Sequence, residues 1–303
     1  MGRRKVLLVI VGPTAIGKTA LAIRLAQHFS TEIISADSRQ FYQLMTIGTA
    51  KPDAQELAAA KHHFVDFLPV SRLYSAGEFE RDALERIAHL HETHDVVIMA
   101  GGSGLYVNAV CYGFDDLPAD LGIRQMLTER AENEGLTALF NELQQLDPLS
   151  AERIDANNTQ RIVRALEVCK VSGKPFSSFH QFETKNRDFE IIMVGLQADR
   201  EVMFDRIHRR VDQMIEAGLL EEVRSLLPYR KENALKSVGY REFFDYFDGC
   251  KTMEDAVDRV KRNTRHFAKR QMTWFKRYPV VWFDYQDTDS VVNYLDSHPL
   301  LTS

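Results

Sequence analysis

Cysteine is scarce and scattered. Cys111, Cys169 and Cys250 are the three in 303 residues. They lie far apart, which excludes a zinc knuckle and a disulfide framework and makes a reducing, cytoplasmic setting the default. Long apolar runs are also missing. The longest, Val6–Val11, is far too short to cross a bilayer. The MGRRK start followed by that run imitates a secretion signal, but it enters a Gly-Pro-Thr loop without a small-residue cleavage site, so it reads as a first strand. There is no repeat, no low-complexity tract and no Pro/Gly/Ser linker. Positive charge is short overall, with 38 Lys and Arg against 43 Asp and Glu. Taken globally, that argues against a polyanionic partner. Taken locally, it does not: Arg259, Lys261, Arg262, Arg265, Lys269, Arg270, Lys276 and Arg277 form a stretch with no acid in it. A basic stripe on an acidic body is a footprint rather than a bulk property.

What is present suits an ordinary globular protein, with 45% hydrophobic and 27% charged residues. The length suggests two domains, or one with a large insertion. Lys5–Val11, Glu32–Ser35 and Asp95–Ala100 read as strands. Thr19–Phe29 and Ala76–His91 read as helices between them, a rhythm that predicts a doubly wound α/β sheet. From Leu117 to Arg187 the pattern turns helical and polar. Phe189–Leu196 is a strand again, Arg200–Leu227 a helix or helix pair broken near Gly218, Met253–Arg277 a long helix and Val280–Phe283 a last strand. The expected architecture is a P-loop-type parallel sheet flanked by helices, over 1–116 and 188–303, interrupted by a helical insertion over 117–187. In the long helix, Val260, Phe267 and Trp274 are expected to point into the core.

Gly12-Pro13-Thr14-Ala15-Ile16-Gly17-Lys18-Thr19 fits G-x-x-x-x-G-K-[ST] at every fixed position. Its glycines let successive N–H groups face one anion, and the helix start adds its positive end. Lys18 supplies a point charge and Thr19 a hydroxyl for Mg²⁺. The loop does not say which di- or triphosphate it holds, ATP included. The usual companion of a nucleotide hydrolase, an acid ending a later apolar strand, is missing. Val-Val-Ile-Met-Ala runs instead into Gly101-Gly102-Ser103-Gly104. Backbone donors and a hydroxyl there suit an oxyanion, and tight strand–helix packing would also call for the glycines. Asp37 follows the second strand on the phosphate-loop side of the sheet. On spacing alone it is equally a proton acceptor and a turn or cap residue.

Taken together, GPTAIGKTALAIRLA, SADSRQFYQLMTIGTAKP, YSAGEFERDA, GGSGLY, NNTQRIVRALEV, SVGYREF and TRHFAKRQMTWFK resemble the tRNA dimethylallyltransferases, or tRNA isopentenyl-diphosphate transferases, in order and across most of residues 7–283. The resemblance implies transfer of a dimethylallyl group from dimethylallyl diphosphate to N6 of the adenosine 3′-adjacent to the anticodon, with Mg²⁺. It implies Asp37 as general base, Ser103 (where many members have Thr) at the leaving group, and Arg210 on the diphosphate. Arg206 lies four residues before Arg210, on the same helical face. The resemblance places Ser38, Arg39, Gln40, Arg124, Asn158, Thr159, Gln160, Arg161, Tyr240 and Arg241 against tRNA, with Asp37 beside them. Lys269 and Arg270 would grip the backbone, and the insertion would clasp the anticodon stem. A cytoplasmic monomer is expected, without a membrane partner and without the C-terminal zinc finger of some eukaryotic members. The rival readings are a small-molecule kinase, an adenylate isopentenyltransferase and an RNA-binding nucleotide switch.

Overall fold

The computed structural model describes residues 4–113, 117–179 and 185–302. The chain forms two compact units, Met1–Cys111 with Arg187–Ser303, and Tyr112–Asn186. In the first, the chain runs β1 (Val6–Val11), α1 (Lys18–His28), β2 (Ile33–Ser35), α2 (Ala54–Ala59), β3 (His62–His63), α3 (Ala76–His91), β4 (Val96–Ala100) and α4 (Gly104–Tyr112). β1 is buried along its whole length and β4 along all but its last residue. Continuous apolar, β-branched runs of this kind fit strands covered on both faces. Three elements of this stretch, α4 and two shorter ones, were not anticipated. α2 is set by an Asp53–Glu56 capping box. β3 is a two-residue, half-buried edge strand that carries no periodic signal.

The second unit packs α5 (Leu121–Asn133), α6 (Leu136–Leu146), α7 (Pro148–Arg153) and α8 (Thr159–Ser172) around Leu127, Leu139, Leu143, Ile162 and Leu166. It opens at Tyr112, a few residues ahead of the expected boundary at 117. The calls at 114–116 and 180–184 lie outside the described residues.

The chain returns to the first unit through β5 (Glu190–Gln197), α9 (Arg200–Glu216), α10 (Leu219–Ser225), α11 (Arg241–Phe247), α12 (Met253–Phe275), β6 (Val281–Asp284) and α13 (Thr288–Asp296). The break between α9 and α10 is Gly218, at φ +99°. All pairings are parallel, in the order β3-β2-β4-β1-β5-β6. Ala100 pairs with Ile10 on one side and with Ser35 on the other. The loops that follow β1, β4 and β2 therefore emerge side by side at the carboxyl edge, where open α/β sheets bind ligands.

α12 departs from expectation on one face. Val260 is buried, but Phe267 is 37% exposed and Trp274 only half-buried. Steps of seven residues fall about 20° short of two full turns, so this row winds off the buried stripe. Ala268, Gln271 and Phe275 take it over.

Gly101 and Gly77 make opposite predictions. A Cβ at Gly101 would run into the Ala36 backbone, whereas one at Gly77, inside α3, meets nothing closer than 4.0 Å. Gly101→Ala should destabilise by about 1–3 kcal/mol through overpacking. Gly77→Ala should stabilise by roughly 0.5–1 kcal/mol through reduced chain entropy. Urea denaturation of both variants checks the signs.

Candidate active site

The phosphate loop curls through three left-handed residues, Gly12 (φ +142°), Ala15 (+64°) and Gly17 (+111°). Gly12 is required twice, because a Cβ there would also stand 2.7 Å from the Leu196 carbonyl of β5. Gly17 caps α1 without any side-chain hydrogen bond. The first N–H groups of α1 are thus left for an anion. Two long side chains brace the loop. Arg206 Nε donates to the Ala15 carbonyl at 2.9 Å, and Gln271 Oε1 accepts from the Thr14 N–H at 2.8 Å.

Lys18 folds back, its Nζ donating to the Pro13 carbonyl at 2.8 Å. Burial pushes its ammonium down to about 8, with the Asp37 charge opposing and Arg210 assisting. Arg210 is also driven below its ordinary range, chiefly by burial, against the pull of Asp37 and Glu56. Two half-buried cations facing one cavity form an anion site.

Asp37 and Ser103 sit on the neighbouring tips. Asp37 Oδ1 accepts from the Arg39 N–H at 3.1 Å, which fixes the turn, and the Asp37 carbonyl accepts from Gln40 N–H at 3.1 Å. The Ser103 hydroxyl accepts from the Ser38 N–H at 2.9 Å and donates to the Ser38 hydroxyl at 3.0 Å. Gln271 Nε2 donates to the Gly102 carbonyl at 2.9 Å, so one amide spans the phosphate loop and the glycine loop.

Two cavities open here. One, of about 770 Å³, is lined by the phosphate loop with Lys18, Thr19, Arg206 and Arg209. The other, of about 470 Å³, is lined by Ser38, Arg39, Ser103, Arg241, Phe267, Arg270 and Trp274. Thr14, Asp37, Thr49, Arg210, Met214 and Gln271 line both. The loop over residues 46–51 is the wall between them, and it is pinned from two sides. Gln40 Nε2 donates to the carbonyls of Thr49 (3.3 Å) and Ala50 (2.9 Å). Glu222 of α10 accepts from the N–H groups of Thr46, Ile47 and Gly48 at 2.9, 2.7 and 3.0 Å.

Tyr240 completes this latch. It is fully buried, donates to Glu222 at 2.7 Å, and its ring leaves no room for a Cβ at Gly48. Burial, then Glu222, pushes its phenol far above the usual range. Its side chain is structural and unavailable to an RNA. The adjacent Arg241 is half-exposed, with Nε on Glu242 at 3.1 Å. Arg39 extends past the Asp37 turn, its Nη1 donating to the Asn233 carbonyl at 3.1 Å.

On α12 the basic residues divide. Arg259 pairs with Asp245, and Lys261 with Asp212. Arg265 lies over Phe204 at 5.2 Å. Among the described residues, Arg262, Lys269, Arg270, Lys276 and Arg277 have no carboxylate partner, and Lys269 and Arg270 are exposed.

Arg124 and Asn158–Arg161 belong to the other unit. Arg124 donates from Nε (2.8 Å) and Nη2 (3.0 Å) to the buried Glu167. Burial alone would raise the Glu167 carboxyl, but Arg124 and Arg164 outweigh it and hold it below the usual range. The Asn158 side chain accepts from the Arg161 N–H and caps α8. Thr159, Gln160 and Arg161 stand exposed on its first turn.

Sequence reasoning passed over Gln271, Glu222, Thr49 and Met214. Gln271 did leave a signal, being polar where Ala268 and Phe275 are apolar at helical spacing. Glu222 left none, because three of its four partners are backbone groups some 175 residues away.

Several known proteins are built alike. The sequence pattern of the family described as IPP transferase matches residues 40–278. The tRNA dimethylallyltransferase of Christiangramia forsetii is 49% identical over 294 residues, covering 96% of this chain and 97% of its own. That of Flavobacterium johnsoniae is 48% identical over 300 residues, with coverage of 96% and 97%. Among solved structures, the tRNA isopentenylpyrophosphate transferase of Bacillus halodurans is 39% identical, with a TM-score of 0.71 and coverage of 96% and 95%. A eukaryotic dimethylallyltransferase described as acting on tRNA is 26% identical, with a TM-score of 0.78 and coverage of 97% and 76%. With a matched pattern over most of its length and near-complete relatives at this identity, the chain belongs to the IPP transferase family.

Proposed function

We propose that this protein transfers a dimethylallyl group from dimethylallyl diphosphate to N6 of the adenosine 3′-adjacent to the anticodon of certain tRNAs, releasing diphosphate. The observation that carries the reading is the junction. Asp37 and Arg210 line both a phosphate-loop cavity and a second cavity with aromatic and basic walls. A donor with a charged leaving group and an acceptor with a flat base need such a pair of chambers meeting at one carboxylate. The relatives named for tRNA dimethylallyl transfer agree with it.

In this reading the diphosphate enters the first cavity, facing the N–H groups at the start of α1 with Lys18 and Arg210. The extruded adenine enters the second, where Trp274 and Phe267 offer stacking faces. The N6 lone pair forms the N6–C1 bond as the C1–O bond breaks. The electron pair of that bond leaves with the diphosphate, and the N6 proton passes to Asp37. Arg210 and Lys18 take up the charge that accumulates on the departing oxygen. Ser103 lines the acceptor chamber and gives its one proton to Ser38, so to serve as the leaving-group contact it would turn that proton to the diphosphate oxygen. Oxygen donors suit Mg²⁺, which keeps several waters and leans on substrate phosphates. Thr19 and the diphosphate would hold it, and it would neutralise leaving-group charge.

Ser38, Arg39 and Arg241 border the acceptor chamber, while Gln40 lines the donor chamber and pins the loop between them. Lys269 and Arg270 supply a sequence-independent grip on the RNA backbone. Asn158, Thr159, Gln160 and Arg161 offer the insertion's contact to the stem. No helix among the described residues is long and apolar enough to cross a membrane, and a cytoplasmic monomer is the proposed state.

The direct test offers labelled dimethylallyl diphosphate with Mg²⁺ to an unmodified anticodon stem-loop in competition with AMP, while ATP hydrolysis is followed. Label in the stem-loop alone is expected. Label in AMP, or ATP consumption without label, refutes the reading. Asp37→Asn keeps an acceptor for the Arg39 N–H but loses basicity. It should slow single-turnover transfer about 10²–10⁴-fold with stem-loop affinity nearly unchanged. Weakened binding at an undiminished rate would remove Asp37 from the role of base.

Two further outcomes follow from charge. The lowered Lys18 ammonium loses its proton above about pH 8. The inhibition constant for inorganic pyrophosphate should then rise toward tenfold per pH unit relative to Lys18→Arg, which stays charged throughout. Parallel pH profiles would show that Lys18 does not titrate there. Lys269→Glu with Arg270→Glu should weaken stem-loop binding and flatten its salt dependence. An unaltered slope would return these residues to an ordinary solvated face.

A further inference from the structure

We propose that Met214 is the seat of the donor's five-carbon alkyl group and sets the chain length that is accepted. This rests on the reading of the two cavities given above. α9 carries Arg206, Arg210 and Met214 at intervals of four residues, so they follow one another along one face. Arg206 braces the phosphate loop through the Ala15 carbonyl. Arg210, one turn on, is a half-buried cation at the junction. Met214 comes about 6 Å further along the axis, at the helical rise of 1.5 Å per residue. The order along the helix is phosphate loop, cation, thioether. An allylic diphosphate has the same order: terminal phosphate, bridging anionic phosphate, alkyl.

The junction supports the same assignment. Of the six residues that line both cavities, Thr14, Asp37, Thr49, Arg210 and Gln271 are polar, and Met214 alone is apolar. Ile47 reaches only the first cavity, and Ile207 and Val211 only the second. In the displacement, N6 arrives from one chamber and diphosphate departs into the other. The branched carbons must then lie sideways at the junction. A polar wall would lose hydrogen bonds there without return. A half-buried, unbranched thioether adapts to the alkyl shape, and its polarisable sulfur tolerates the positive charge that grows on the allylic carbons as C1–O lengthens.

The experiment compares kcat/KM for dimethylallyl and geranyl diphosphates on the anticodon stem-loop, with inhibition by inorganic pyrophosphate as control. Wild-type enzyme should strongly prefer the five-carbon donor. Met214→Ala should raise the geranyl-to-dimethylallyl ratio by at least about tenfold, the scale on which apolar pockets discriminate chain length. Met214→Phe should cut dimethylallyl transfer by a similar factor. Pyrophosphate inhibition should be unchanged in both variants, since Lys18 and Arg210 are intact. An unchanged donor ratio in both variants overturns the assignment while the transferase function stands. It is overturned equally if pyrophosphate inhibition weakens in step with transfer in both, because Met214 would then be shaping the cation site. Failure of the wild type to transfer the five-carbon group overturns this inference and the proposed function together.

Discussion

Gln271 accepts from the Thr14 N–H and donates to the Gly102 carbonyl, and it is nearly inaccessible to water. Its partners are one backbone donor and one backbone acceptor, so the amide has a single satisfying orientation. It ties the loop after β1 to the loop after β4, and both ties depend on α12 lying where it does. The same helix shows Lys269 and Arg270 to solvent on its other face. An RNA backbone drawn to that face would bear on the helix whose buried face sets the phosphate loop. Substituting an apolar residue of similar size would leave the buried Gly102 carbonyl without its partner, worth about 1–3 kcal/mol, and free the Thr14 N–H toward the cavities.

The charges around the junction follow from that enclosure. Lys18 and Arg210 are both pushed toward neutrality by burial, and Asp37 only partly compensates. The Lys18 ammonium spends one of its three donors on Pro13. Two half-buried cations facing one cavity with a single carboxylate beside them leave an excess of positive charge for a dianion to match. A diphosphate supplies that charge to both cations at once and leaves the sheet untouched. The cations are already desolvated and oriented, so they need little rearrangement to stabilise a leaving group.

Much of this was readable in the sequence, for local reasons. The phosphate loop, the apolar parallel strands and the glycine run after β4 are short-range patterns, and register alone then brings Asp37 beside them. What was not readable depends on distant partners. The Val-Gly-Tyr-Arg turn suggested a surface offered to RNA, yet Tyr240 is buried under the 46–51 loop, because Glu222 gathers three backbone N–H groups and needs the phenol as its fourth donor. Arg124 read as an RNA contact, yet two of its nitrogens serve Glu167. Phe267 read as core, but the buried stripe of α12 drifts away from it. For Tyr240, implied by the resemblance, and Phe267, read from periodicity, the residue type was legible in one dimension but the side of the element it serves was not.

The missing acid after β4 has a structural cause as well as a chemical one. A side chain at Gly101 would enter the Ala36 backbone, one at Gly102 would meet Gln271, and one at Gly104 would meet the Trp274 indole. The strand tip is therefore packed against the Asp37 turn on one side and α12 on the other. Ser103 is the one position of the four with a side chain, and its hydroxyl is already engaged by Ser38. A carboxylate introduced there would break that bond and set a second negative charge near Asp37. It would also repel the anion that Lys18 and Arg210 are placed to receive. The close packing that lets one carboxylate face both chambers thus leaves no room for the acid on which a nucleotide hydrolase depends.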